Sequence, residues 1–127
     1  MRTLADYKVL LDHSFTLSAS ESHTLTFELP SDTALPAATG DGTAVQRPII
    51  MFMADPTNDA NGLNCEITIN GDTAISTTFN EGVRRTMHES IGGNRFLTGK
   101  MNSLQFSVID GTGSVSFSDV VVWFQRS

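Results

Sequence analysis

The stretch Cys65-Glu66-Ile67-Thr68-Ile69-Asn70-Gly71-Asp72-Thr73-Ala74-Ile75-Ser76-Thr77-Thr78-Phe79 decides the fold class. Cys65, Ile67 and Ile69 alternate with Glu66, Thr68 and Asn70, the period-2 signature of a half-buried strand. Asn70-Gly71 supplies two residues that tolerate positive φ, as the type I′ turn of a tight hairpin requires. Ile75, Thr77 and Phe79 then form the returning strand. In this alternation Cys65 reads as a small buried hydrophobe.

Outward from this hairpin the same period recurs. Leu25, Phe27 and Leu29 share one face of a strand whose other face is Thr24, Thr26 and Glu28, and Pro30 ends it. Leu104, Phe106 and Val108 alternate with Ser103, Gln105 and Ser107. Asp110-Gly111-Thr112-Gly113 reads as a tight turn before a last strand, Ser114 to Gln125. That strand changes parity. Val115 and Phe117 share one phase, Val120, Val122 and Phe124 the other, and a β-bulge near Ser118-Asp119 reconciles them. Tyr7 to Leu17 adds one or two strands, and Val83 to Ser90 alternates more weakly, with Val83, Arg85 and Met87 in phase. Residues 31–46, without period, read as a long surface loop, and Asp55 to Leu63 as a polar loop. About eight short strands with regular turn signals predict an all-β antiparallel sandwich of jelly-roll type.

The 127 residues fit one domain able to bury a core without staples. Fourteen acidic residues stand against eight basic ones, for a formal charge of -6. That balance opposes binding to nucleic acid or to anionic membrane, both of which call for basic patches. One cysteine excludes an intramolecular disulfide framework. The N-terminal residues have no apolar signal-like core, so synthesis in the cytoplasm without a signal peptide is expected. Lysis or an assembled particle would then be the route out. The apolar runs Ile49 to Ala54 and Val120 to Phe124 are too short to span a bilayer.

Three segments carry a further likeness. Ile69-Asn70-Gly71, Leu97-Thr98-Gly99-Lys100-Met101-Asn102-Ser103-Leu104-Gln105-Phe106 and Val115-Ser116-Phe117-Ser118-Asp119-Val120 together resemble the C-terminal half of galactose-binding-domain-like jelly rolls. The resemblance covers about half the chain. It implies a ligand-binding or accessory role, as many such domains have, without specifying one.

The candidate sites are few. Asp55, Asn58, Asp59 and Asn61 concentrate oxygen ligands in one loop and could surround Ca²⁺, the one candidate cofactor. The competing reading is Asx-turn chemistry, in which these side chains bond their own backbone. Arg84 and Arg85 are the only adjacent basic pair. One of them should project outward to hold a carboxylate, a phosphate or an acidic patch, unless it pairs with Glu81 or Glu89. Asn94, in the Ile91-Gly92-Gly93-Asn94 break, is a third ligand-binding candidate. His13, His23 and His88 lack zinc spacing, and His88 and Glu89 point to opposite faces of a strand. No Ser lies in a G-x-S-x-G elbow and no Gly-rich loop opens a helix. An enzyme is therefore not expected.

The most informative feature is apolar excess on two strands. Ile49 to Ala54 does not alternate, which predicts cover on both faces. If Val120, Val122 and Phe124 face the core, Val121 and Trp123 face outward. Residues 31–46, the N-terminal segment or another subunit must then cover them. The interface candidates are Val121, Trp123, Ile49, Met51 and Met53. The leading expectation is a non-catalytic structural or attachment subunit of a homo-oligomeric assembly, of the kind found in phage and phage-like particles. The alternative is a carbohydrate-binding module, with or without Ca²⁺, with glycan at residues 55–63 and 91–102 or stacked on Trp123.

Overall fold

A computed structural model describes residues 4–34, 48–92 and 95–126. Among the described residues nine strands account for the regular structure: β1 (Leu4–Ser18), β2 (Ser22–Glu28), β3 (Thr33–Ala34), β4 (Ile49–Pro56), β5 (Asn61–Ile69), β6 (Asp72–Phe79), β7 (Arg85–Ser90), β8 (Met101–Thr112) and β9 (Ser114–Arg126). No described residue is helical. One sheet has the order β1-β9-β4-β7, with β3 pairing the end of β9; the other has the order β2-β8-β5-β6. Every strand pair is antiparallel. The fold is a jelly-roll β-sandwich.

The alternation seen in sequence builds the core directly. Phe27, Cys65, Ile67, Ile69, Leu104, Phe106 and Val108 point inward from the four-stranded sheet and are buried. Ile50, Phe52, Val115, Phe117, Val120 and Val122 meet them from the other. Phe106 sits at the middle: its ring lies 4.8 Å from that of Phe117 and 5.5 Å, edge-on, from that of Phe52. Such aromatic pairs add about 0.5–1.5 kcal/mol each beyond the area they bury.

The hairpin forms as expected, with Asn70 at φ 51° and Gly71 at φ 89°. The parity change in β9 is a bulge at Asp119, which adopts φ 53°. Its partners confirm the shift, because Met51 pairs with Val121 while Met53 pairs with Ser118. The segment Tyr7 to Leu17 belongs to a single strand, β1, whose register against β9 slips on either side of Leu11.

Three expectations need correction. Thr33 and Ala34, read as loop, form β3; residues 35–46 lie outside the described residues. The Asp55–Leu63 loop shrinks to residues 57–60, because β4 continues to Pro56 and β5 starts at Asn61. The tight turn expected over Asp110–Gly113 narrows to Gly113, because β8 continues to Thr112. It carries the chain from β8 in one sheet to β9 in the other. At Gly111 (φ 112°) a Cβ would fall onto the Gly62 carbonyl, so the crossover runs too close to β5 for any other residue.

Two of the three resemblance segments, the Asn70-Gly71 turn and the stretch from Leu97 to Ser103, turn out to be one hydrogen-bonded unit. Asn102 is fully buried. Its Oδ1 accepts from the Leu97 N–H at 2.7 Å and from Asn70 Nδ2 at 3.0 Å; its Nδ2 donates to the carbonyls of Leu97 (2.9 Å) and Lys100 (3.3 Å). Asn70 in turn donates to the Arg95 carbonyl and accepts from the Ser103 N–H. The hairpin turn and the loop before β8 thus clamp each other, with the hydrogen-bonding capacity of the Asn102 amide filled. Asn102→Ala leaves the Leu97 and Lys100 backbone groups and Asn70 Nδ2 without this partner and opens space in the core, and should cost about 2 kcal/mol. Urea unfolding measures it; a loss well under 1 kcal/mol would show that the clamp contributes nothing.

Candidate functional site

The outer faces of the two sheets differ in kind. On the four-stranded sheet Ser22, Thr24, Thr26, Gln105, Ser107 and Thr68 face outward, an ordinary solvated surface. On the five-stranded sheet the outward positions of β1, β9 and β4 include an apolar patch, bordered by polar residues of β7. One row across the strands runs Tyr7, Trp123, Ile49, Ser90; the next runs Val9, Val121, Met51, His88. Tyr7 and Trp123 keep 55% and 41% of their surface exposed, and their ring centroids lie 5.0 Å apart with planes tilted by 39°. Beside them Met51, Met53, Val121, Trp123, Thr86 and Asp119 frame a depression of about 250 Å³.

This face comes from the bulge. With Val120, Val122 and Phe124 buried, Val121 and Trp123 must point away from the core. The expected placement of these two is therefore correct. The expected double cover of Ile49 to Ala54 is not. Burial alternates along β4, with Ile50, Phe52 and Ala54 inside and Ile49, Met51 and Met53 on the outer side. The run looked unbroken because Ile and Met also occupy the outer positions, where they pack beside Trp123 and Val121. Of the covers considered, the N-terminal segment lies beside the face rather than over it: Tyr7 and Val9 flank Trp123 and Val121, and Trp123 keeps 41% of its surface exposed.

Tyr7 was not singled out from sequence. Its Tyr7-x-Val9 alternation was visible, but the pairing with Trp123 depends on long-range register. The structure also shows what holds Tyr7 in place. Its N–H donates to Asp6 Oδ1 at 2.8 Å, and Arg126 bonds both Asp6 (3.2 Å) and Asp32 (2.9 Å), joining β1 to the ends of β3 and β9. The Tyr7 N–H, and after it Arg126, hold the Asp6 carboxyl below its ordinary value of 3.8. The clamp is therefore present above that pH and is lost as pH falls through the folded value.

The remaining candidates are dispersed. Asp55 pairs with Arg84 at 3.1 Å, and Asp59 accepts from the Thr57 hydroxyl at 2.6 Å, a local turn interaction. Asn61 stands in β5 opposite Thr112, and the backbone of Asn58 packs on Gly82. The four oxygen-bearing residues thus serve a strand end, a turn and a second strand. Among the described residues no group of three His, Cys, Asp or Glu side chains converges. Arg85 pairs with Glu81 at 3.3 Å, one of the two partners anticipated for it. Asn94 lies outside the described residues. Cys65 is buried, and loss of solvent pushes its thiol up to about 11.

No protein-family model matches the sequence, and no curated protein does. Solved structures do match in fold. Latent PorU from Porphyromonas gingivalis superposes over 100% of this chain with TM-score 0.75 at 14% identity. A β-porphyranase of glycoside hydrolase family 86 from the human gut bacterium Bacteroides plebeius covers 98% with TM-score 0.62 at 13% identity. The CBM36-1 domain of a multidomain xylanase from the hindgut metagenome of Trinervitermes trinervoides covers 94% with TM-score 0.59 at 9% identity. These matches share the antiparallel jelly-roll sandwich fold. The chain spans 13% of PorU and 21% of the porphyranase, but 96% of the CBM36-1 domain.

Within this jelly roll the cysteine has a packing role. At pH 8 a thiol with a pKa near 11 is about one part in a thousand thiolate. Cys65 should resist Ellman's reagent in the native protein and react at once in 6 M guanidinium; rapid labelling of the folded chain would contradict this.

Proposed function

We propose that the chain is a non-catalytic carbohydrate-binding module, with Trp123 and Tyr7 as the platform on which sugar rings stack. The observation that carries this is the pair of half-exposed rings on an outer sheet face. An aromatic side chain offers a large apolar surface to the C–H face of a sugar, and a strand holds it at little cost in conformational entropy. The depression beside the rings has Thr86 and Asp119 at its rim to meet sugar hydroxyls. Further support comes from the CBM36-1 domain, which matches nearly end to end in both chains. These points favour a glycan over the particle-subunit role that composition suggested.

Binding through this face does not call on Ca²⁺. Among the described residues Asp119 is the one carboxylate lining the depression, and Asp55 and Asp59 are bonded to Arg84 and Thr57. A glycan array should therefore give binding that survives EDTA and falls at least about tenfold in Trp123→Ala. Loss with EDTA while Trp123→Ala binds normally would move the site to the loops. No binding at all would reject the reading.

A second reading rests on the aliphatic surround of Ile49, Val9, Val121, Met51 and Met53: a second copy of the chain covers the face. It predicts an oligomer by light scattering that Trp123→Asp dissociates into folded monomers. A wild-type monomer would dispose of it.

A further inference from the structure

Resting on the carbohydrate reading, we infer that the ligand is an uncharged sugar chain lying across the strands, not an acidic or sulfated one. The geometry sets the direction. The row Tyr7–Trp123–Ile49–Ser90 crosses four strands. At about 4.8 Å per strand it is ~14 Å long. Each strand step is close to one pyranose unit, so the row matches a short run of linked sugars. Apolar groups occupy its centre, and the described hydrogen-bonding groups stand at its margins: Ser90, His88 and Thr86 along β7, and Asp119 at the bulge.

Charge sets the class. An acidic glycan needs cations, preferably arginines with free forks. Among the described residues none stands free on this face. Lys8 turns its ammonium to the Glu28 carbonyl at 2.8 Å, towards β2 in the other sheet. Arg126 is bonded to Asp6 and Asp32, and Arg85 to Glu81. Arg84 stands at the far end of the face, beyond Met53, with Asp55 against it at 3.1 Å. Arg95 and Lys100 belong to the loop clamped onto the hairpin of the other sheet. What the face itself contributes is the negative charge of Asp119, on a chain of net charge -6. Among the described residues, a polyanion would meet repulsion here with only Arg84, already paired with Asp55, on the same side to offset it.

Affinity gel electrophoresis tests this, with arabinoxylan, glucomannan and mixed-linkage β-glucan as neutral probes and polygalacturonate and a sulfated galactan as anionic ones. At least one neutral polysaccharide should retard the wild type, and both anionic ones should leave it unretarded. Trp123→Ala and Tyr7→Ala, each checked for native circular dichroism, should each reduce the retardation at least about tenfold in affinity. Retardation by an anionic polysaccharide that both variants lose would overturn the uncharged assignment and leave the carbohydrate reading standing. Retardation that both variants keep would overturn the assignment to this face. Failure of all five polysaccharides to retard the wild type would overturn the carbohydrate reading itself.

Discussion

β9 runs the length of its sheet, and strict alternation would let it serve the core with only part of its apolar side chains. Val115 and Phe117 lie in one phase, Val120, Val122 and Phe124 in the other, yet all five are buried. One residue inserted in the left-handed conformation, Asp119, makes this possible. Asp tolerates that conformation better than most residues, because its short polar side chain can bond locally. The same insertion decides the outside. Once the second phase turns inward, Val121 and Trp123 must turn outward, onto Met51, Ile49, Val9 and Tyr7. The core and the exposed platform are thus two results of one backbone adjustment.

Different devices hold the rest. The loop before β8 is tied by amide hydrogen bonds from a buried Asn102. The crossover into β9 is held by backbone contact at Gly111, where side chains are excluded. The edge of the platform is tied by Arg126, which gathers Asp6 and Asp32 while Asp6 caps the Tyr7 N–H. Of these restraints, the Arg126–Asp6 contact is the one beside Tyr7, where it fixes the backbone of the strand that carries the ring.

Much of this was legible in the residues. Period-2 runs gave β2, β5, β6 and β8. Asn70-Gly71 gave the hairpin, and the parity switch gave the bulge and the outward Trp123. The misreadings have physical causes. In β4 hydrophobicity was taken for burial, but Met51 and Met53 are apolar because of what they neighbour on the outside. Around Asp55 a run of Asp and Asn was taken for a loop, though β4 reaches Pro56 and an ion pair to Arg84 occupies the carboxylate. Tyr7 was missed because nothing local says which strand lies beside β1. Asn102 was quoted only as part of a pattern; its role appears when the chain brings it to Asn70.

The Asn70-Gly71 turn has a chemical side. In flexible peptides an asparagine followed by glycine loses its amide readily, because the next backbone nitrogen can curl round and attack the side-chain carbonyl. Here that side chain is gripped on both its atoms, by Arg95, Asn102 and Ser103. The grip opposes the curl. Were the amide lost, the new carboxylate would face two oxygens, the Arg95 carbonyl and Asn102 Oδ1. The spot most prone to ageing in the open chain is therefore guarded by folding, and damage there would loosen the loop before β8 from within.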